Sequence, residues 1–128
     1  MIINSKEIEL FKNLSQFDLG GVYFDFHNDF VCTKISLMDN SLLFLFKEII
    51  EGYIISFRFD NITLVGFEFD NFPEFKNLTI DNIYRGRFEK NGKLLEFNSD
   101  EKSYFYLEFV EGVNLELWCE NIEVDKTI

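Results

Sequence analysis

One proline, one histidine and two cysteines stand in a chain of 128 residues, and each scarcity closes off a class of function. A single histidine, His27, with no serine in a strand–turn–helix elbow, leaves no Ser–His–Asp constellation to assemble. Cys32 and Cys119 are far apart in sequence. They lack the cysteine density of a small secreted scaffold and any zinc-type spacing. Each lies among apolar, strand-like neighbours, which points to buried free thiols. Glycine is sparse too: Asp18-Leu19-Gly20-Gly21 holds only two, too few for a phosphate-cradling loop, and reads as a helix stop. No loop carries the spaced Asp residues, Gly and closing Glu that calcium requires. Apolar runs are short. The longest, Leu42 to Phe46, falls far below the roughly 20 residues of a membrane span. Met1 to Leu10 has no basic start, apolar run and small-residue cleavage site, so no signal peptide is expected. A cytoplasmic location follows as the expectation.

Positive charge is also short. Twelve Lys and Arg face 23 Asp and Glu, for a net charge of −11 and an isoelectric point near 4.4. A nucleic-acid binder needs a basic footprint to release counterions from phosphate, and anionic membrane surfaces repel the same sign. Neither is expected as a partner. A basic protein is favoured, because opposite charge steers encounter.

What the chain has is aromatic and apolar surface: 47% hydrophobic residues and seventeen Phe. The length suits one domain, residues 1–128, with a single core. Asn4 to Phe17 is helix-like, with an edge strand as the alternative. Asn4 can cap it with Glu7 three residues on, and Ile8, Phe11, Leu14 and Phe17 recur near helical spacing. From Val22 onward, period-2 alternation is broken by turn signals every eight to twelve residues or so. Val22 to His27 and Phe30 to Met38 form a hairpin at Asn28-Asp29, with Phe26 against Val31 and Phe24 against Thr33. Leu42 to Ile50 and Tyr53 to Phe59 form another at Glu51-Gly52, with Phe46 against Phe57 and Phe44 against Phe59. Ile62 to Phe69 follows, then a loop holding Pro73. Leu78 to Glu89 leads to Asn91-Gly92, the strongest hairpin signal in the chain. The expected fold is mainly β: an antiparallel meander of about nine strands forming a sandwich or barrel-like sheet, with one short N-terminal helix.

The last hairpin, Ser103 to Glu120, gives the candidate site. A two-residue loop at Glu111-Gly112 would mix apolar and polar faces. A three-residue loop, Val110-Glu111-Gly112, pairs Phe109 with Val113, Leu107 with Leu115 and Phe105 with Leu117. It places Gly112 where φ > 0 is required. The other face then carries Tyr104 near Trp118, Tyr106 near Glu116 and Glu108 near Asn114, with Glu120 beyond. Aromatic rings within a charged rim are interface-like, so Tyr104, Tyr106, Glu108, Glu116, Trp118 and Glu120 are the predicted partner-binding residues. The competing expectation is that a helix or second layer covers these rings.

Other candidates carry less. His27 between Asp25 and Asp29 reads as a solvated turn histidine, and Cys32 falls nearest Asp25 in the first hairpin. Arg85 and Arg87 make a basic island, most simply paired across strands with Glu89 and Glu96. No catalytic residue, metal or cofactor is assigned.

The chain resembles small acidic immunity proteins of bacterial contact-dependent and polymorphic toxin systems. The likeness lies in a short helical start followed by Phe-His-Asn-Asp at 26–29, Ile-Ser-Leu at 35–37, Leu-Phe-Leu-Phe at 43–46 and Ile-Ser-Phe-Arg-Phe at 55–59. It implies a stoichiometric inhibitor of a toxin domain, with no chemistry of its own. A small apolar-ligand or carbohydrate-binding barrel is the alternative, requiring an internal cavity of roughly 300 Å³ or more. A carboxylate-based hydrolase ranks third.

Overall fold

The computed structural model describes residues 1–69, 77–86 and 101–127. Eleven strands occur among them: β1 (Ile2–Asn4), β2 (Gln16–Leu19), β3 (Val22–Asp25), β4 (Phe30–Met38), β5 (Ser41–Glu48), β6 (Ile54–Asp60), β7 (Thr63–Phe69), β8 (Ile80–Arg85), β9 (Ser103–Phe109), β10 (Val113–Cys119) and β11 (Asn121–Thr127). A five-stranded sheet has the order β1-β11-β6-β5-β4, a four-stranded sheet the order β7-β10-β9-β8, and β2-β3 forms a separate ribbon. The strand ladders are antiparallel. The mainly-β expectation holds, with more strands than the nine expected and, among the described residues, without a closed barrel.

The N-terminal helix is not there. Among the described residues the only helical element is one 3-10 turn, Ser5–Glu7. Asn4 does cap it, its Oδ1 accepting from the Lys6 amide at 2.9 Å. The segment is a poor helix former, with Asn4, Asn13, Ser5, Ser15 and three Phe or Ile, and an isolated stretch of this length is marginal. Tertiary bonds win instead. β1 pairs with β11, the Leu14 amide donates to the Ile83 carbonyl at 2.6 Å, and Phe11 sits at φ 61°. Ile8, Leu14 and Phe17 still reach the core. Gly20-Gly21 is not a helix stop. It is a two-residue turn between β2 and β3 whose residues both take positive φ, as a primed hairpin turn needs.

Two predicted registers are corrected. β3 pairs with β2 rather than with β4, so Phe26 does not oppose Val31, nor Phe24 Thr33. In β4 the inward residues are first Phe30 and Cys32. A bulge between Cys32 and Lys34 then switches the pleat, so that Ile35 and Leu37 face Phe44 and Leu42. The β5–β6 hairpin is shifted by two residues: Phe44 opposes Phe57, Phe46 opposes Ile55 and Leu42 opposes Phe59. A shift of two keeps every side chain on its predicted face. The longer loop that causes it is held by the Glu48 carboxylate, which accepts from the amides of Ile50 at 3.0 Å and of Glu51. The strand predicted over 78–89 is described only as far as Gly86. The predicted loop at Pro73 and the Asn91-Gly92 hairpin lie outside the described residues.

The two sheets are joined at a corner. β6 runs into β7 through Asn61, which adopts φ 50°, and β10 runs into β11 through Glu120. Since β6 pairs with β11 and β7 with β10, one ladder bends from the first sheet into the second. The bend is fastened by Glu120 N–H to the Asp60 carbonyl (3.1 Å), Ser5 N–H to the Glu120 carbonyl (2.8 Å) and Asn61 Nδ2 to Glu120 Oε2 (2.8 Å). At the far side Cys32 and Leu78 exchange backbone hydrogen bonds at 2.7 and 2.9 Å. Between the sheets lie Phe26, Phe44, Phe46, Phe57, Phe59 and Phe105, each fully buried. Phe44–Phe109 and Phe59–Phe105 contacts, with centroids 6.1 and 5.7 Å apart, carry the aromatic network from one sheet to the other.

Both cysteines are free and buried, and burial pushes the Cys32 thiol up to about 12 and Cys119 upward as well. Iodoacetamide at pH 8 is therefore expected to leave the native protein unmodified and to label both thiols once urea unfolds it, as intact-mass spectrometry would register. Phe57 touches the rings of Phe17, Phe26, Phe46 and Phe59. Phe57→Ala is expected to lower unfolding free energy by about 3–5 kcal/mol in urea titrations.

Candidate functional site

The outer face of the four-stranded sheet is built by register. β9 and β10 pair as predicted: Tyr104 with Trp118, Tyr106 with Glu116 and Glu108 with Asn114. The three-residue loop is there too, with Gly112 at φ 89° and its amide donating to the Phe109 carbonyl. Their neighbours extend each row. Tyr84 of β8 stands beside Tyr106, and Gly66 of β7 beside Glu116. The next row reads Asn82, Glu108, Asn114, Glu68.

The rings form two groups. Phe11, Tyr84 and Tyr106 make a ladder with centroid separations of 5.7 and 5.4 Å. Tyr104 meets Trp118 edge-on at 5.2 Å. Tyr104 is buried at 5% exposure, so a partner reaches Trp118 rather than Tyr104. Tyr106, Glu108, Glu116 and Trp118 are half-buried. Glu120 lies just beyond β10, between it and β11. It sits at the corner, bonded to Asn61.

Beside the Tyr ladder lies a cleft of about 190 Å³ lined by Gly66, Glu68, Tyr106, Asn114 and Glu116. The strand residue without a side chain makes the room: a Cβ on Gly66 would stand 3.6 Å from a Glu116 carboxylate oxygen. Asn114 Oδ1 is buried there without a hydrogen-bond partner. The Tyr106 hydroxyl donates to Glu108 Oε2 at 3.2 Å. Burial, then the Glu108 charge and hydrogen bond, then Tyr84 and Glu116 push Tyr106 up to about 12. Tyr84 is raised by burial and by the same two carboxylates. Burial disfavours any charge here, and the nearby carboxylates add a bias against a further anion.

The sequence placed Asn114 on this face beside Glu108 but did not point to Tyr84, Gly66 or Glu68. Those three reach the face because β7 and β8 flank the central hairpin, an order that a simple meander does not predict. The one local signal was Gly66, a glycine in the middle of an otherwise apolar strand.

The remaining candidates are placed elsewhere. His27 lies in the turn and is partly solvated, as expected, and its Nδ1 also lies 2.7 Å from the Ile80 carbonyl and 4.0 Å from Asp81. Asp25 holds its turn by accepting from the backbone and side-chain nitrogens of Asn28. Cys32 pairs with Phe46 and Leu78, away from Asp25. Arg85 donates to the backbone carbonyls of Lys6 and Ile8 at 3.2 and 2.9 Å. Arg87, Glu89 and Glu96 lie outside the described residues. No described helix is long and apolar enough to cross a membrane. No protein-family model matches the chain, and no curated protein is significantly similar to it.

Tyr106 gives the face a pH signature. An unfolded tyrosine releases its proton near 10, whereas folded Tyr106 holds it to about 12. The stability this contributes is complete below pH 10 and is lost as pH rises through 12. Urea midpoints measured from pH 9 to 12 should fall less steeply for Tyr106→Phe than for the unsubstituted protein.

Proposed function

We propose that the chain is a non-catalytic protein-binding module whose acidic, aromatic sheet face engages a basic protein, acting as a bacterial immunity protein that neutralises a basic toxin domain in the cytoplasm. The observation that carries this reading is the Tyr84–Tyr106 ladder bordered by Glu108 and Glu116, opening onto a cleft lined by acceptor atoms. Tyrosine and tryptophan supply large contact area at small entropic cost, and the carboxylates choose the sign of the partner. The net charge of −11 acts in the same direction at long range. The resemblance to acidic immunity proteins supports the choice of partner.

An apolar-ligand barrel fits less well. The apolar cleft between the sheets, lined by Ile35, Leu37, Leu42, Leu64, Phe67 and Leu115, measures about 190 Å³. That is smaller than the roughly 300 Å³ a small-molecule pocket usually offers.

Affinity capture from the native host, followed by titration calorimetry with the captured partner, tests the proposal. The expected partner is basic. Trp118→Ala and Glu116→Lys should each weaken the complex by about tenfold or more. Raising ionic strength from about 0.05 M to about 0.5 M should slow association. Unchanged affinity in both variants would place the contact on another surface.

A further inference from the structure

The outer face of the five-stranded sheet carries chemistry that the acidic–aromatic reading does not use. Beyond its bulge, β4 turns Lys34, Ser36 and Met38 outward together. Ser36 opposes Leu43 of β5, and Leu43 opposes Arg58 of β6. A cleft of about 410 Å³ opens over this row. It is larger than either cleft above and falls within the roughly 300–1,000 Å³ of small-molecule sites.

The charges along the cleft are not all spent on one another. Arg58 Nε donates to Asp60 Oδ1 at 2.7 Å, and its Nη2 donates to Asp60 Oδ2 at 3.4 Å and to Glu123. The guanidinium is thereby fixed in place with its Nη1 donors to spare. Asp60 is occupied, since the Ser41 hydroxyl also donates to its Oδ1 at 2.9 Å. Lys34 and Asp39 are exposed, and among the described residues neither is in an ion pair. Asp39 sits in the β4–β5 turn at φ 53°, a turn tied down by the Ile62 amide donating to the Asn40 carbonyl at 2.9 Å. About 13 Å of strand separates Lys34 from Met38, the residue before Asp39. The cleft therefore has a cation at one end, an anion at the other, and Leu43 with Met38 between them.

We infer that this cleft binds short peptides, about three residues long, with both chain ends uncapped. The peptide carboxylate lies on the Lys34 ammonium and its amino end on the Asp39 carboxylate. Arg58 Nη1 and the Ser36 hydroxyl donate to the peptide carbonyls, and an apolar side chain rests on Leu43 and Met38. Three extended residues span about 10 Å, which the two charged side chains can bracket. Charge decides against simpler ions. A lone anion meets a net charge of −11 and the carboxylates of Asp39, Asp60 and Glu123, while a lone cation meets Lys34 and Arg58. A zwitterion carries no net charge through that field and satisfies both ends. The site lies on the other sheet from the acidic–aromatic face and does not rest on the basic-partner reading.

The test uses the full chain, labelled with nitrogen-15, and alanyl-leucyl-alanine with both ends uncapped. The same peptide acetylated at its amino end, or amidated at its carboxyl end, is the comparison. The uncapped peptide should give saturable chemical-shift changes at residues 34–43 and at Arg58. Each cap removes one charged contact and should weaken binding by about tenfold or more. Lys34→Gln should weaken the uncapped peptide by a similar factor yet leave binding of the amidated peptide unchanged, and Asp39→Asn should do the same with the acetylated peptide. Asparagine tolerates the left-handed turn and Lys34 is exposed, so both variants should keep the native amide spectrum. Equal binding of capped and uncapped peptides would overturn the inference, as would the absence of saturable changes at millimolar peptide. Changes centred on Tyr84, Tyr106 and Trp118 would overturn it too, as would loss of peptide binding in Trp118→Ala, whose effect belongs to the other sheet.

Discussion

The bend at Asp60–Asn61 and Glu120 is the constraint on which the other features depend. Two paired strands pass through it together, so their hydrogen bonds continue from one sheet to the next. Because β6 lies inside the first sheet, its continuation β7 cannot also lie inside the second without a strand beyond it. Among the described residues the topology places β10 centrally and β7 at the rim. Asn61 tolerates the left-handed turn this needs, as asparagine does more readily than most residues. Three hydrogen bonds then tie Ser5, Asp60, Asn61 and Glu120 into one joint.

Phenylalanine makes such a bend workable. Where one ladder serves two sheets, the interior must be filled from both by residues that need no hydrogen-bond partners. Phe44, Phe57 and Phe59 from one sheet and Phe105 and Phe109 from the other meet this requirement. Tilted and edge-on ring contacts let the two layers meet without strict register. The polar partners of this arrangement are displaced outward. On β9 and β10 every inward Phe, Leu, Val or Cys has a Tyr, Glu, Asn or Trp neighbour on the opposite face, apart from the buried Tyr104. The acidic–aromatic surface is thus the obligatory reverse of the core, and its chemistry lies in which polar residues were used.

Alternation made the β9–β10 hairpin legible, register included, because a slip of one residue would have put Phe105 and Leu117 in water. It also gave the correct faces of β5 and β6 while missing their register by two, since period two cannot distinguish positions two apart. The Cys32–Lys34 bulge was not legible, as a pleat switch requires knowing which of two weak alternations is inward. The N-terminal segment was misread for a related reason. Ile8, Leu14 and Phe17 are core residues whatever backbone carries them, so near-helical spacing reported burial and not helix. Of the candidate face, Tyr106, Glu108, Glu116 and Trp118 followed from local pattern. Tyr84, Gly66 and Glu68 required strand order, which is set by the bend and has no local signature.

An apolar rim strand normally invites copies of the same chain to pair edge to edge. Here the opposing influence is distributed. Glu68 lies on the strand itself, Glu116 beside it and Glu108 one strand further in, within a chain of net charge −11. Two such rims approaching each other bring carboxylates within a Debye length of about 8–10 Å, where screening is incomplete. Repulsion is felt before the apolar residues can meet. The same field acts with opposite sign on a basic chain, the class of partner proposed above for the outer face of the four-stranded sheet.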